Sequence, residues 1–150
     1  MTNIPSLFFL AIVMIEIDVD NKQVMATLKK LTNAAKDRTP LMRSIAGTME
    51  SAVQQNFDVG GRPRWLPIKH RKGTPLVDTE NLMNSITSRY DNDSAAVGTN
   101  EPYAAIHQFG GKAGRGKKVT IPARPFLILT TQDEQDILDD IQDYFKRLIG

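Results

Sequence analysis

The chain contains no cysteine and only two histidines, His70 and His107, among its 150 residues. Without cysteine there is neither a disulfide framework nor a thiolate metal site, a composition at home in a reducing compartment. The imidazoles fall in no metal-ligand spacing: His107 follows Glu101 by six positions and no HExxH is present. A packed or hydrogen-bonded His107 is therefore expected rather than a metal ligand, and His70, among cations, is expected to be solvated. No GxSxG elbow and no GxxxxGK[ST] or strand-anchored GxGxxG loop occurs, which removes the usual frames for a serine nucleophile and for phosphate binding. Asp78, Glu80, Asp91 and Asp93 could pair for acid–base work, yet Asp78 reads as a helix cap and Asp91 and Asp93 as turn residues. The chain is read as a non-enzyme with no cofactor.

Long apolar runs are also missing. The one candidate, Ile4 to Ile15, is shorter than the about 20 residues needed to cross a bilayer. It lacks a basic start and a small-residue cleavage site, which argues against a signal peptide. Two readings remain: a buried strand continuing into the alternating Ile15-Glu-Ile-Asp-Val19, or an upstream extension of residues 1–13 with Met14 as the natural start. Either way no membrane partner is expected, and residues 14–150 are read as one domain, as the length predicts.

What is present is an ordinary globular composition with uneven charge. Residues 62–124 carry eleven Lys/Arg against five Asp/Glu, whereas residues 125–150 carry two against six. A basic middle and an acidic tail suit head-to-tail subunit contact or an acidic partner.

Apolar periodicity at Val24, Leu28, Leu31 and Ala35 predicts a helix over about 21–37. Thr39 as N-cap with Pro40 at the first helical position restarts a second, its stripe running through Ile45, Met49, Ala52, Val53 and Phe57. The two should pack as a pair. Asp58 to Pro75 reads as a long Gly-, Pro- and cation-rich loop, followed by a short helix that carries Leu82 and is capped by Asp78. Ser85–Tyr90 and Ala95–Thr99 flank the polar turn Asp91-Asn-Asp-Ser94 as a hairpin. Val119–Ile121 and Phe126–Leu129 are further strand candidates. Thr131-Gln-Asp-Glu134 matches a capping box opening a last helix, with Ile137, Ile141, Phe145 and Leu148 as its inner stripe. The order predicts an α+β fold: an N-terminal helix pair, a small antiparallel sheet with a hairpin, and a C-terminal helix.

The most informative stretch is Tyr103-Ala-Ala-Ile-His-Gln-Phe-Gly-Gly111, then a basic glycine-rich mobile loop, then Ile121-Pro-Ala-Arg-Pro-Phe-Leu127. Pro122 and Pro125 cannot donate to a ladder, so their segment is an edge or a bend, suited to presenting a surface to a partner. Two basic clusters, Arg62–Lys72 and Lys112–Lys118, supply nine Lys/Arg, with Trp65 nearby as a stacking surface. They raise a second reading, a nonspecific nucleic-acid-binding module acting by backbone contact.

Taken in order, these landmarks resemble the phage virion morphogenesis or tail-completion family of phage Mu G-like and P2-type tail completion proteins. They are Phe57 with Trp65 soon after, Pro75-Leu-Val-Asp-Thr79 followed by Leu82 and Ser85-Ile86, Val97-Gly-Thr-Asn100, the Tyr103–Gly111 stretch and Pro122-Ala-Arg-Pro-Phe-Leu127. Glu80 stands where the family commonly has Gly, and residues 1–13 have no counterpart. The resemblance implies a structural protein of head–tail joining or tail completion, or of capsid assembly, with no catalytic residues. Its implied partners are phage head–tail connector or tail proteins and further copies in a homo-oligomeric ring. Its implied place is the bacterial host cytoplasm, with incorporation in the virion as an extension. The residues expected to shape or border the contact surface are Trp65, Tyr103, His107, Phe109, Arg124 and Phe126, together with the loop cations Lys112, Arg115, Lys117 and Lys118.

Overall fold

Helix α2, Thr39–Val59, is the beam on which the rest is built. Its residues Leu41, Ala46, Ala52, Val53, Asn56 and Phe57 are buried at helical spacing, so one face is consumed by packing along the whole length. The helix stops at Gly60, whose left-handed conformation lets its N–H return to the carbonyls of Asn56 and Phe57. The computed structural model describes residues 22–69, 73, 75–76 and 80–150. The strand-or-extension reading of residues 1–13, His70 and the proposed cap Asp78 lie outside them.

Preceding the beam, α1 spans Lys22–Lys36. Its predicted apolar stripe is mostly open: Leu31 is half-buried, but Val24, Leu28 and Ala35 are exposed, and Ala34 is the residue that packs. The N-cap of α2 also sits one position earlier than expected, at Arg38, because the cap is tertiary. Asn92 Oδ1, from the tip of the first hairpin, accepts the Arg38 N–H at 2.5 Å, Asn92 Nδ2 donates to Lys36 O, and the Arg38 guanidinium pairs with Asp93.

A short α3, Asn81–Asn84, buries Leu82 and leads into β1, Thr87–Tyr90, paired antiparallel with β2, Ala95–Gly98, in the register Thr87↔Gly98 to Tyr90↔Ala95. The polar turn between them is built on Asp91. Its Oδ1 accepts from the N–H groups of Asp93 and Ser94 and from the Ser94 hydroxyl, which holds its carboxyl below the ordinary value. This hairpin lies on α2.

Next come α4, Ala104–Phe109, and a second hairpin of β3, Gly111–Ala113, and β4, Val119–Ile121. Among the described residues the strands thus form two separate two-stranded ladders. The stretch read as a mobile loop is folded: Lys112 pairs with Thr120 and Ala113 with Val119, and a 3₁₀ turn, Arg115–Lys117, closes the tip.

The last helix, α5, spans Thr131–Ile149 and packs on α2 and α1. Its capping box is shifted by one residue from the expected frame: the Thr130 hydroxyl accepts from Asp133 N at 3.1 Å and Asp133 Oδ2 accepts from Thr130 N at 2.8 Å. Ile137, Ile141 and Leu148 are half-buried as the pattern implies, but Phe145 is exposed and Tyr144 takes the inner position. The core joins α2 to the loop after it, α3, α4 and the segment around Phe126: Val53, Phe57, Trp65, Leu82, Ile86, Ala104 and Phe126 pack together. Phe57 meets Trp65 edge-on at 5.7 Å and Phe126 at 5.4 Å. The fold class is α+β.

Candidate assembly interface

Residues 122–129 carry two prolines and a central Phe126, and they form no strand, contrary to the expectation for Phe126–Leu129. Side chains take the place of a neighbouring strand. Gln108 Oε1 accepts from the N–H groups of both Phe126 and Leu127 at 3.0 Å, while its Nε2 donates to Leu127 O at 3.1 Å. From the other side Asn56 Nδ2 donates to Phe126 O at 2.7 Å and Ile128 O at 3.1 Å, and Trp65 Nε1 donates to Pro125 O at 2.9 Å. These bonds meet buried and half-buried backbone groups that would otherwise lose water without compensation.

That clamp fixes α4 over the core. Ala104 is buried beneath it and Gln108 points at the clamped segment, so Phe109, next in sequence, is turned outward and is 79% exposed. Gly110 then makes the crossing possible. Its φ is 73°, and a Cβ there would lie 2.8 Å from Ala123 N and 3.0 Å from Ile121 O, inside any tolerable contact. The second hairpin therefore leaves the body at a fixed position beside Phe109. Lys112, Arg115, Lys117 and Lys118 are all exposed on it, and Val119 adds an apolar side chain that is 54% exposed.

The ten expected contact residues divide accordingly. Phe109, Lys112, Arg115, Lys117 and Lys118 share one continuous exposed stretch, and Tyr103 is exposed at the other end of α4. Trp65 and Phe126 are core, so they shape the surface from behind and cannot touch a docked partner. Burial also removes Trp65 as a stacking platform for bases. Arg124 is buried too: its N–H bonds to His107 O at 2.8 Å, and its guanidinium donates to the carbonyls of Leu66 and Pro67. It is a brace for the preceding loop, not a surface cation. Arg62 leaves the first basic cluster for the same kind of reason, held by Asn56, the Ala52 carbonyl and Asp133.

Sequence reading passed over Asn56 and Gln108, which set the clamp with Trp65, and took Arg62, which holds Asn56 Oδ1, for a surface cation. A signal existed for one of them: Asn56 falls between Val53 and Phe57 on the apolar stripe of α2, where a polar side chain must have a buried partner.

His107 stands against Tyr103, their rings at 5.9 Å, and its Nδ1 is buried with no hydrogen-bond partner among the described residues. Burial, reinforced by Arg124, lowers its pKa below the ordinary 6.5. The unfolded chain therefore binds this proton at a higher pH than the folded one does. Below about pH 6.5 the unfolded state gains protons first, so stability falls as pH falls. A His107→Gln variant is expected to lack this component: its thermal midpoint should drop less than that of the parent between neutral and mildly acid pH. Parallel pH profiles of the two proteins would contradict this reading.

Among the described residues no group of three or more His, Asp and Glu side chains could hold a metal ion, and no helix is long and apolar enough to cross a membrane. The sequence model of the phage virion morphogenesis family matches residues 19–146. A G protein of a Mu-like prophage, FluMu G protein 2 of Haemophilus influenzae strain Rd, is 72% identical over 137 residues, covering 91% of this chain and 99% of that protein. The G protein of Escherichia phage Mu, whose name gives it a provisional role in capsid assembly, is 30% identical over 140 residues, 83% of this chain and 89% of that protein. No solved structure matches. With most of its length matched in this way, the chain belongs to the phage virion morphogenesis family.

Proposed function

We propose that this protein acts in the assembly of a tailed phage or prophage particle, at head–tail joining or tail completion, through protein–protein contacts and without catalysis. It works in the bacterial host while particles are built, contacts connector or tail proteins, and forms a ring of identical copies. The observation that carries this reading is the mounted hairpin: a basic arm with an exposed phenylalanine at its root, next to a segment held by Gln108, Asn56 and Trp65. Burying one Phe side chain contributes about 1.5–3 kcal/mol, and a ring repeats that gain at every subunit. Family membership supports the assembly role, and the prophage relative supports its setting.

Electron microscopy of particles made without the protein tests the assignment. Full heads beside free tails support joining, and tails of aberrant length or end structure support completion. Failed capsids would move the role to head assembly, and normal infectious particles would refute the proposal. The nucleic-acid reading keeps only the exposed cations, since Trp65 and Arg62 are committed to the interior.

Replacing Lys112, Arg115, Lys117 and Lys118 by Gln is expected to leave the unfolding free energy within about 0.5 kcal/mol, as for other surface changes, while lowering particle yield. Unchanged yield in a complementation assay would reduce the hairpin to a solvated connector.

A further inference from the structure

The acidic tail of the sequence forms α5, which packs on α2 and α1 and leaves one side exposed. Its inner side is occupied by Ile137, Ile141, Tyr144 and Leu148. Leu138, Phe145 and Ile149 recur at i, i+7 and i+11, so they line one stripe of the helix. That stripe is open to solvent at its two ends, with Leu138 52% and Ile149 58% exposed, and partly open at Phe145, 37% exposed. Glu134 continues it toward the N-terminus, and Asp139 and Asp143, one turn apart, line the opposite flank of the exposed side. Lys146 and Arg147 lie only in the last turn.

The second hairpin is its counterpart in both charge and apolar content. Four exposed cations stand beside Phe109 and Val119, against three exposed carboxylates beside Leu138, Phe145 and Ile149. Among the described residues the ion pairs are Arg38–Asp93 and Arg62–Asp133, so neither set is paired with another described residue. The hairpin is mounted on α4, whereas α5 is mounted on α2 and α1, so the two surfaces belong to different parts of the body.

We infer that the basic hairpin of one copy docks on the exposed acidic and apolar side of α5 of a second copy. The inference rests on the ring reading and names its contact. Two unlike surfaces on each subunit make a heterologous, head-to-tail interface, which closes into a ring when the rotation permits. Opposite charge sets the register and speeds encounter, and the apolar side chains supply the dehydrated centre. A second copy is the occupant because the complementary surface is carried by the chain itself.

Charge reversal tests this with the full-length chain. One variant carries Lys112→Glu, Lys117→Glu and Lys118→Glu; the other carries Asp139→Lys and Asp143→Lys. Sedimentation equilibrium is expected to show a wild-type oligomer that loosens as salt rises. Each variant alone should associate at least about tenfold more weakly, since like charges then face each other. Mixing the two in equal amounts should restore the wild-type mass, because both hairpin-to-helix contacts are again between opposite charges. Should a reversal impair folding, as judged by circular dichroism, the Gln and Asn substitutions at the same positions should still weaken association. A wild-type chain that stays monomeric at its highest soluble concentration overturns the inference, and so does a mixture that stays dissociated. Loss of duplex DNA binding in the hairpin variant with an unchanged mass also overturns it, and makes nucleic acid the occupant. Complementation separates the two layers: variants that build normal particles, where the deletion builds none, sink this contact and leave the assembly role standing.

Discussion

Asn56→Leu is expected to lower the unfolding free energy by about 3–5 kcal/mol. The residue is fully buried, and its amide serves three partners: it donates to Phe126 O and Ile128 O, and its Oδ1 accepts from Arg62 Nε at 2.7 Å. Leucine matches the volume, so no cavity is made and the change isolates the polar loss. Each partner left without a bond in the interior costs about 1–3 kcal/mol, with charged groups at the upper end. Against a total stability of about 5–15 kcal/mol for a domain, that is a large fraction. Urea unfolding should show the midpoint moved down with little change of slope. A loss below about 1 kcal/mol would mean that the segment from Pro125 to Ile128 is held by Gln108 and Trp65 alone. Because the same segment anchors the root of the hairpin, the variant should also lose particle assembly at temperatures where it remains folded.

The elements that follow from local pattern were legible in the sequence. Helical spacing gave α1, α2 and α5 close to their observed bounds, and the polar run Asp91–Ser94 gave the first hairpin, because both signals are complete within a few residues. The misreadings share a physical cause, which is that the deciding partner is distant in the chain. Arg38 caps α2 in place of Thr39 because Asn92 approaches from the hairpin tip. Thr130-Thr131-Gln-Asp-Glu134 contains two overlapping box frames, and the one used is the frame in which Asp133 also reaches Arg62. Phe126–Leu129 has a strand-like composition, but side-chain amides satisfy its backbone, and no rule of alternation announces that. Of the candidate contact residues, Phe109 and Phe126 are indistinguishable by type. One is outside and the other inside because Gln108 fixes the rotation of α4. The open stripe of α1 and Phe145 of α5 were read as core for the same reason: amphipathicity reports that a face wants cover, not whether this chain or another provides it.

Asp133→Ala should be comparably severe, at about 3–5 kcal/mol, the usual result of removing one member of a buried ion pair. The Asp133 carboxylate receives both terminal nitrogens of Arg62, at 3.0 and 2.8 Å, as well as Thr130 N. Burial by itself would raise its pKa; the Arg62 hydrogen bonds and those from Thr130 outweigh it and hold the carboxyl below the ordinary 3.8. The sign follows directly. A depressed folded value means that the stabilisation is present in full above about pH 3.8 and is lost as pH falls through the folded value. Asp133→Ala should therefore lose the corresponding part of the acid limb along with its stability near neutral pH. Arg62→Met combined with Asp133→Leu should be less damaging than either single change, because no charge is then left buried without its partner. Strict additivity in that cycle would show that the pair does not act as a unit. The pair also positions the inferred docking side of α5: Asp133 fixes the first turn of the helix against the loop after α2, and Glu134, Leu138 and Asp139 follow from it in order. A weakened pin should thus reduce self-association in the double variant even where its stability recovers, since the loop and the helix are then no longer held by a directional contact.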